Sequence, residues 1–171
     1  MTDRSDDMDV LAPLAWGLAP TGASERLRER ILASTGAEGR YGVFADRMAR
    51  LFDLPLAKAR DLMRDLERGV AWNATPIPGF EMIKIDTGPR CQGAMTMLAR
   101  LQPGTVFPAH RHVGEETSFV LEGGFVDSHG VAVGRGGELF KPEGTHHGFV
   151  VDLDGVCLAA AVAFGGIAIE P

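Results

Sequence analysis

The stretch GTVFPAHRHVGEETSFVLEGG, residues 104–124, decides how the rest of the chain is read. It places Gly104, then His110 and His112 one residue apart, then Glu116, then Gly123. A second stretch, GGELFKPEGTHHGFVV at residues 136–151, places Gly136, Pro142, Gly144 and His147. Side chains alternate along a strand, so residues of equal parity face one side. His110, His112 and Glu116 share parity, and on a continuous strand they point inward together while Glu115 points out. A bulge at Gly114 would break that relation. His147 must arrive from another strand, as a closed barrel supplies. Three imidazoles and a carboxylate suit Zn²⁺, Mn²⁺, Fe²⁺ or Ni²⁺. His110, His112, Glu116 and His147 are therefore the expected ligands of one divalent ion per chain, with zinc the first expectation. A His-x-His pair alone could equally be a solvated surface pair; the Gly, Pro and Glu spacing around it argues otherwise. His146 has the opposite parity to His147 and is expected to be exposed or to donate a hydrogen bond behind the ligands. His129, in the turn Asp127–Gly130, is expected to be solvated.

Outward from these motifs, the chain from Phe80 onward reads as about nine short strands. They start near Phe80, Ala94, Val106, Glu116, Gly124, Val131, Gly137, Gly148 and Val156, with Gly- and Pro-rich turns between them. Evenly spaced short strands of this kind predict a mainly β barrel or sandwich. Before Gly69 the apolar spacing is helical. Ser24 is placed to cap a helix over about 24–35, preceded by an apolar patch at Leu11–Leu18. Phe44, Met48, Leu51 and Phe52 predict a helix over 41–53, and Pro55 opens another that ends at Gly69. The expected division is a helical segment and hairpin over 1–69, then a metal-binding barrel over 70–171. The hairpin's apolar face must cover the barrel or a partner chain.

Glycine spacing and ligand order resemble the two sequence motifs of the cupin superfamily, with one departure: Val151 stands where the second motif normally closes on Asn. The implied fold is a cupin jelly-roll β-barrel with an N-terminal helical extension. RYGVFADRMARLFDLPLAKARDLM (40–63), HRHVGEETSFVLEGGF (110–125) and the ending GGI (165–167) further resemble the cupin-like domain of ChrR-type anti-sigma factors. That resemblance covers roughly residues 11–167. It implies a cupin that holds a metal through three His and one Glu and serves as the half that receives oxidative-stress signals. The family's anti-sigma domain carries a His-x-x-x-Cys-x-x-Cys zinc site. This chain has no histidine before His110 and no cysteine before Cys91, so binding of a sigma factor is not expected.

Composition narrows the partners. The net charge of −6 gives nucleic acid and anionic membranes nothing to attract them. The acidic N-terminus lacks the basic and apolar regions of a signal peptide, and no apolar run is long enough to span a membrane; a cytoplasmic protein is expected. Cys91 and Cys157 read as buried apolar residues in the first place and as redox sensors in the second. By parity with Glu116, the pocket is lined by Ser118, Val120 and Glu122, with Met95, Met97 and Phe149 adding an apolar wall. Such a pocket fits a small apolar ligand or an oxidant sensor whose methionines oxidise. An iron, manganese or nickel dioxygenase acting on a small diketone is the alternative. Val120 on one face of strand 116–122, with Phe119 and Leu121 on the other, asks for an outer cover; the helical hairpin can supply only part of it, and a homodimer is expected to cover the rest.

Overall fold

Two antiparallel sheets face each other across an apolar interior. The computed structural model describes residues 39–169. In chain order these are helices α1 (Ala45–Leu51) and α2 (Leu56–Arg68), then strands β1 (Asn73–Ala74), β2 (Phe80–Lys84), β3 (Ala94–Leu101), β4 (Val106–His112), β5 (Glu116–Glu122), β6 (Gly124–Asp127), β7 (Ala132–Gly134), β8 (Glu138–Lys141), β9 (His146–Val151), β10 (Cys157–Phe164) and β11 (Ile167–Ile169). Sheet A runs β1-β2-β3-β10-β5-β8 and sheet B runs β11-β4-β9-β6-β7. This is the expected mainly β cupin barrel. The nine expected strands are β2 to β10; the two that sequence reading misses, β1 and β11, are edge strands of two and three residues. The expected helix over 24–35 and the patch at Leu11–Leu18 lie outside the described residues.

The helix expected over 41–53 is broken. Residues 39–42 are helical, 43–44 turn, and α1 starts at Ala45. α2 begins after Pro55 and stops at Gly69, whose φ of 95° ends the helix. Together they lay an apolar face on the outside of sheet A. Met48, Phe52, Ala59 and Met63, all fully buried, pack with Leu98, Phe119, Leu121, Leu158, Ala160 and Val162. Phe44 meets Phe119 edge to face at 5.2 Å. The second cluster fills the barrel, with Phe80, Met97, Leu101, Phe107, Val120, Phe125, Val151 and Cys157. Strand β10 therefore has a core on each face, which is why Val156–Phe164 is apolar throughout. Phe119, Leu121 and the outward side of β10 are covered by the chain's own hairpin.

The hairpin is also tied by polar contacts. Tyr41 donates its hydroxyl to Glu122, which Arg40 also reaches, and Arg47 pairs with Glu138. Asp53, in the left-handed region at φ 53°, accepts from Arg90 N and Nε at 2.9 and 2.7 Å. Because these contacts and the shared cluster join hairpin to barrel, the described residues should unfold as one unit. Met63→Ala should lower the unfolding free energy read from a single cooperative transition by about 2–5 kcal/mol. Chemical denaturation followed by circular dichroism and by tryptophan fluorescence checks it; non-coincident transitions would show the hairpin folding separately.

Candidate metal centre

β4 carries two of the expected ligands, and a bulge aims them. Phe107 pairs with Phe149 and His110 with His147, so two residues on β4, Pro108 and Ala109, face one on β9, Gly148. The extra residue falls at Pro108–Ala109, where proline's missing N–H is no loss. Phe107, His110 and His112 consequently all face inward, although Phe107 has the other parity.

The single-strand parity argument for Glu116 does not hold, yet its conclusion does. β4 ends at His112 and β5 starts at Glu116 in the opposite sheet. Residues 113–115 carry the chain across, held by Val113 N–H to the Gly166 carbonyl and by Phe164 N–H to the Glu115 carbonyl. A Cβ on Gly114 would stand 2.4 Å from the Phe164 carbonyl oxygen, so glycine is required at the crossing. Glu116 thus faces His112 from across the barrel, with Oε2 3.5 Å from His112 Nδ1.

His110, His112 and His147 are all buried, and their nearest ligand atoms lie within 4.8 Å of one another. His112 Nδ1 and Nε2 and His147 Nδ1 are buried with no hydrogen-bond partner. Buried polar atoms are nearly always paired, and three orphans in one cluster ask for a missing partner. Ligand atoms of an ion with bonds near 2.0–2.1 Å stand about 3.3 Å apart, close to the His112–Glu116 separation. The residues present therefore fit a metal ion. His110 Nδ1 lies 2.9 Å from the Pro108 carbonyl, which can only accept, so Nδ1 carries the proton and Nε2 keeps its lone pair. Glu116 Oε1 accepts from Ser118 at 2.8 Å.

Electrostatics favour the ligating forms of the imidazoles. Burial first, then the proximity of His110 and Lys141, pushes His112 down from 6.5 to about 4. Burial first, then His110, Lys141 and His112, pushes His147 down to about 4 against the pull of Asp127. Burial raises Glu116, opposed by Ser118 and Lys141; a cation would reverse that direction.

His110, Glu116 and His147 line a cavity of about 360 Å³ inside the barrel. Met82, Met95, Met97, Phe107, Phe149 and Leu139 are among its walls, and its polar lining comes from Thr75, Ser118, Glu116, His110 and His147. Met95, Met97, Phe149 and Ser118 line it as expected. Glu122 does not: the register of β10 on β5 shifts between Leu158 and Ala159, and Glu122 turns out to Tyr41 and Arg40. Cys157 is fully buried at the cavity wall, and burial first, then Asp152, pushes its thiol up to about 12. Cys91 is buried against the Leu51 carbonyl. His146 is exposed on the outward side of β9, and His129 lies in its turn, largely exposed. Sequence reading missed Asp127. It is buried, meets Lys141 Nζ at 2.8 Å, and faces His147. Its turn position hid it, since an Asp before Ser-His-Gly reads as a solvated loop.

A family profile described as the ChrR cupin-like domain matches residues 66–163, more than half of the chain. The chain belongs to the ChrR cupin-like domain family. Its fold is similar to that of a chain in the crystal structure of Rhodobacter sphaeroides SigE in complex with the anti-sigma ChrR, at 24% identity and TM-score 0.56 over 91% of this chain and 75% of that one. It is also similar to an acetylacetone dioxygenase from Acinetobacter johnsonii, at 15% identity and TM-score 0.51 over 60% and 76%. A cupin-like protein of unknown function from Ralstonia eutropha matches at 24% identity and TM-score 0.49 over 54% of this chain; the match spans 59% of that protein. No curated protein sequence matches the chain. Among the described residues, no helix is long and apolar enough to cross a membrane.

The depressed imidazoles of this ChrR-like cupin make its metal-free form acid-sensitive. Below pH 6.5 the unfolded chain protonates these two histidines, whereas the folded chain resists until about pH 4. Stability is therefore full above 6.5 and falls as pH drops through that window. Urea midpoints measured in chelator at about pH 7 and about pH 5 should show the loss, and a His112→Gln variant should show less of it.

Proposed function

We propose that this chain is a metal-dependent binding or sensing module. One divalent ion, held by His110, His112, Glu116 and His147, is presented to a small apolar ligand or oxidant in the barrel cavity. The orphaned ring nitrogens of fully buried His112 carry the reading, because a cation is the partner that satisfies a bare imidazole nitrogen beside a buried carboxylate. When bound, the ion supplies a Lewis-acidic position in the wall of an apolar chamber. The chain's own residues do the rest. The Pro108 carbonyl fixes the tautomer of His110, and Ser118 holds Glu116. The Met and Phe walls exclude water and favour an apolar guest. Zinc is the ion expected in the isolated protein, at one equivalent per chain. His112→Ala removes a fully buried ligand and should cut metal content sharply; full occupancy in that variant by elemental analysis would refute the ligand set.

A dioxygenase acting on a diketone-like substrate is the competing reading, and the fold it would need is present. The cavity argues against it. Outside the ligand set its polar side-chain lining is Thr75 and Ser118, with the Cys157 thiol. Ser118 already donates to Glu116, and Thr75 donates to the Phe80 carbonyl. Among the described residues, no lining group outside the ligand set is left to orient a polar substrate and move its protons. Iron-, manganese-, nickel- and zinc-loaded protein should show no sustained O₂ uptake with a small 1,3-diketone in an oxygen electrode. Peroxide or singlet oxygen should instead add oxygen to Met82, Met95 or Met97, seen by mass spectrometry. Substrate-dependent O₂ consumption that disappears in Glu116→Ala would make the protein an enzyme.

A further inference from the structure

Behind the proposed ligand set lies a pair of buried opposite charges that join the two sheets. Lys141 stands on β8 of sheet A, directly opposite Glu116. Its Nζ crosses to sheet B and meets Asp127 Oδ2 at 2.8 Å. The Asp127 side chain is fully out of solvent and that of Lys141 is 14% exposed. The other carboxylate oxygen, Oδ1, accepts the backbone N–H groups of His129 and Val131, both at 2.9 Å. Asp127 is thereby held from three directions. Its Oδ2 faces two imidazoles at 3.7 Å: the exposed His129 Nδ1 on the outside and the buried His147 Nδ1 on the inside. The inner one is a nitrogen that lacks a hydrogen-bond partner.

We propose that Asp127, clamped by Lys141, is a positioning residue that holds His147 as its Nδ1–H tautomer and leaves Nε2 as the lone pair for the metal. The metal role rests on the reading above; the tautomer does not. A neutral imidazole has one donor and one acceptor nitrogen, and a carboxylate only accepts, so the proton belongs on the nitrogen that faces Asp127. A shift of less than about 1 Å closes the gap to an ordinary N–H···O distance. Outer partners of this kind fix the orientation and basicity of metal-bound histidines. Lys141 makes the arrangement tolerable, because an uncompensated buried carboxylate would instead attract a proton or water. His110 is fixed by different means, through the Pro108 carbonyl on its own strand. His147 has no such carbonyl partner at Nδ1, and its control comes from β6 and, through Lys141, from the opposite sheet.

The test compares wild type, Asp127→Asn, Lys141→Met and the double variant. ¹⁵N imidazole shifts of the metal-free protein report the tautomer, and zinc titration against a chromophoric chelator reports affinity. Wild-type His147 should be protonated on Nδ1, and Asp127→Asn should mix the tautomers and weaken zinc binding about 10–100-fold. The double variant removes both charges. It should recover the thermal stability lost by either single variant while its zinc affinity stays low. His147 protonated on Nε2 in wild type would overturn the proposal. So would a double variant that binds zinc as tightly as wild type, since the pair would then be a cross-link and nothing more. A wild-type protein that takes up no zinc would overturn the metal reading itself. The two failures are distinguishable, because the tautomer readout needs no metal.

Discussion

Imidazole nitrogens buried without partners inside an apolar barrel are the constraint on which the rest depends. Such atoms are costly unless something satisfies them. Three buried histidines and a carboxylate cannot hydrogen-bond one another into balance, because the neutral rings have too few donors for the acceptors present. A cation resolves the imbalance by accepting several lone pairs at once. The strand geometry works toward that end. The β4 bulge turns His110 and His112 inward together, and the glycine crossing at 114 returns the chain in the opposite sheet with Glu116 facing them.

Around that polar point the barrel is built of apolar side chains, and sheet A is buried on both faces. The helical hairpin is what permits this. Without α1 and α2, the outward Phe119, Leu121, Leu158 and Val162 would face water. Their burial fixes β5 and β10, and β5 begins at Glu116, so a layer on the outer face of sheet A still sets the place of that carboxylate. On sheet B, by contrast, Val106, Val126 and Val150 stay exposed on neighbouring strands.

Charge is distributed with the same economy. Glu116 and Asp127 are the acidic groups beside the imidazoles, and Lys141 stands near both, opposite one and bonded to the other. Burial pushes Asp127 up, but the Lys141 ammonium and the Val131 and His129 N–H groups together hold it well below the usual carboxylate range. An anion is thus kept beside His147 Nδ1, while the His110 and His112 rings lie 4.7 and 5.1 Å from its own.

The sequence alone picked out the three histidines that come together in the barrel, nine of the eleven strands among the described residues and the apolar character of the cavity. It could do so because metal coordination, turn glycines and alternating burial depend on residue type and short spacing. Tertiary structure decided what spacing cannot express. Parity predicted Glu122 in the pocket, and a register shift against β10 sent it to Tyr41 instead. Parity along one strand placed Glu116 correctly for a wrong reason, since the chain changes sheets between His112 and Glu116. Phe119 and Leu121 asked for a cover, and only packing could say that the hairpin supplies it. Asp127 read as a turn residue because its burial depends on Lys141, fourteen positions along and in the other sheet. Residue types define which chemistry is available locally; bulges, crossings and cross-sheet pairs are set by how distant segments pack, and no local pattern encodes that.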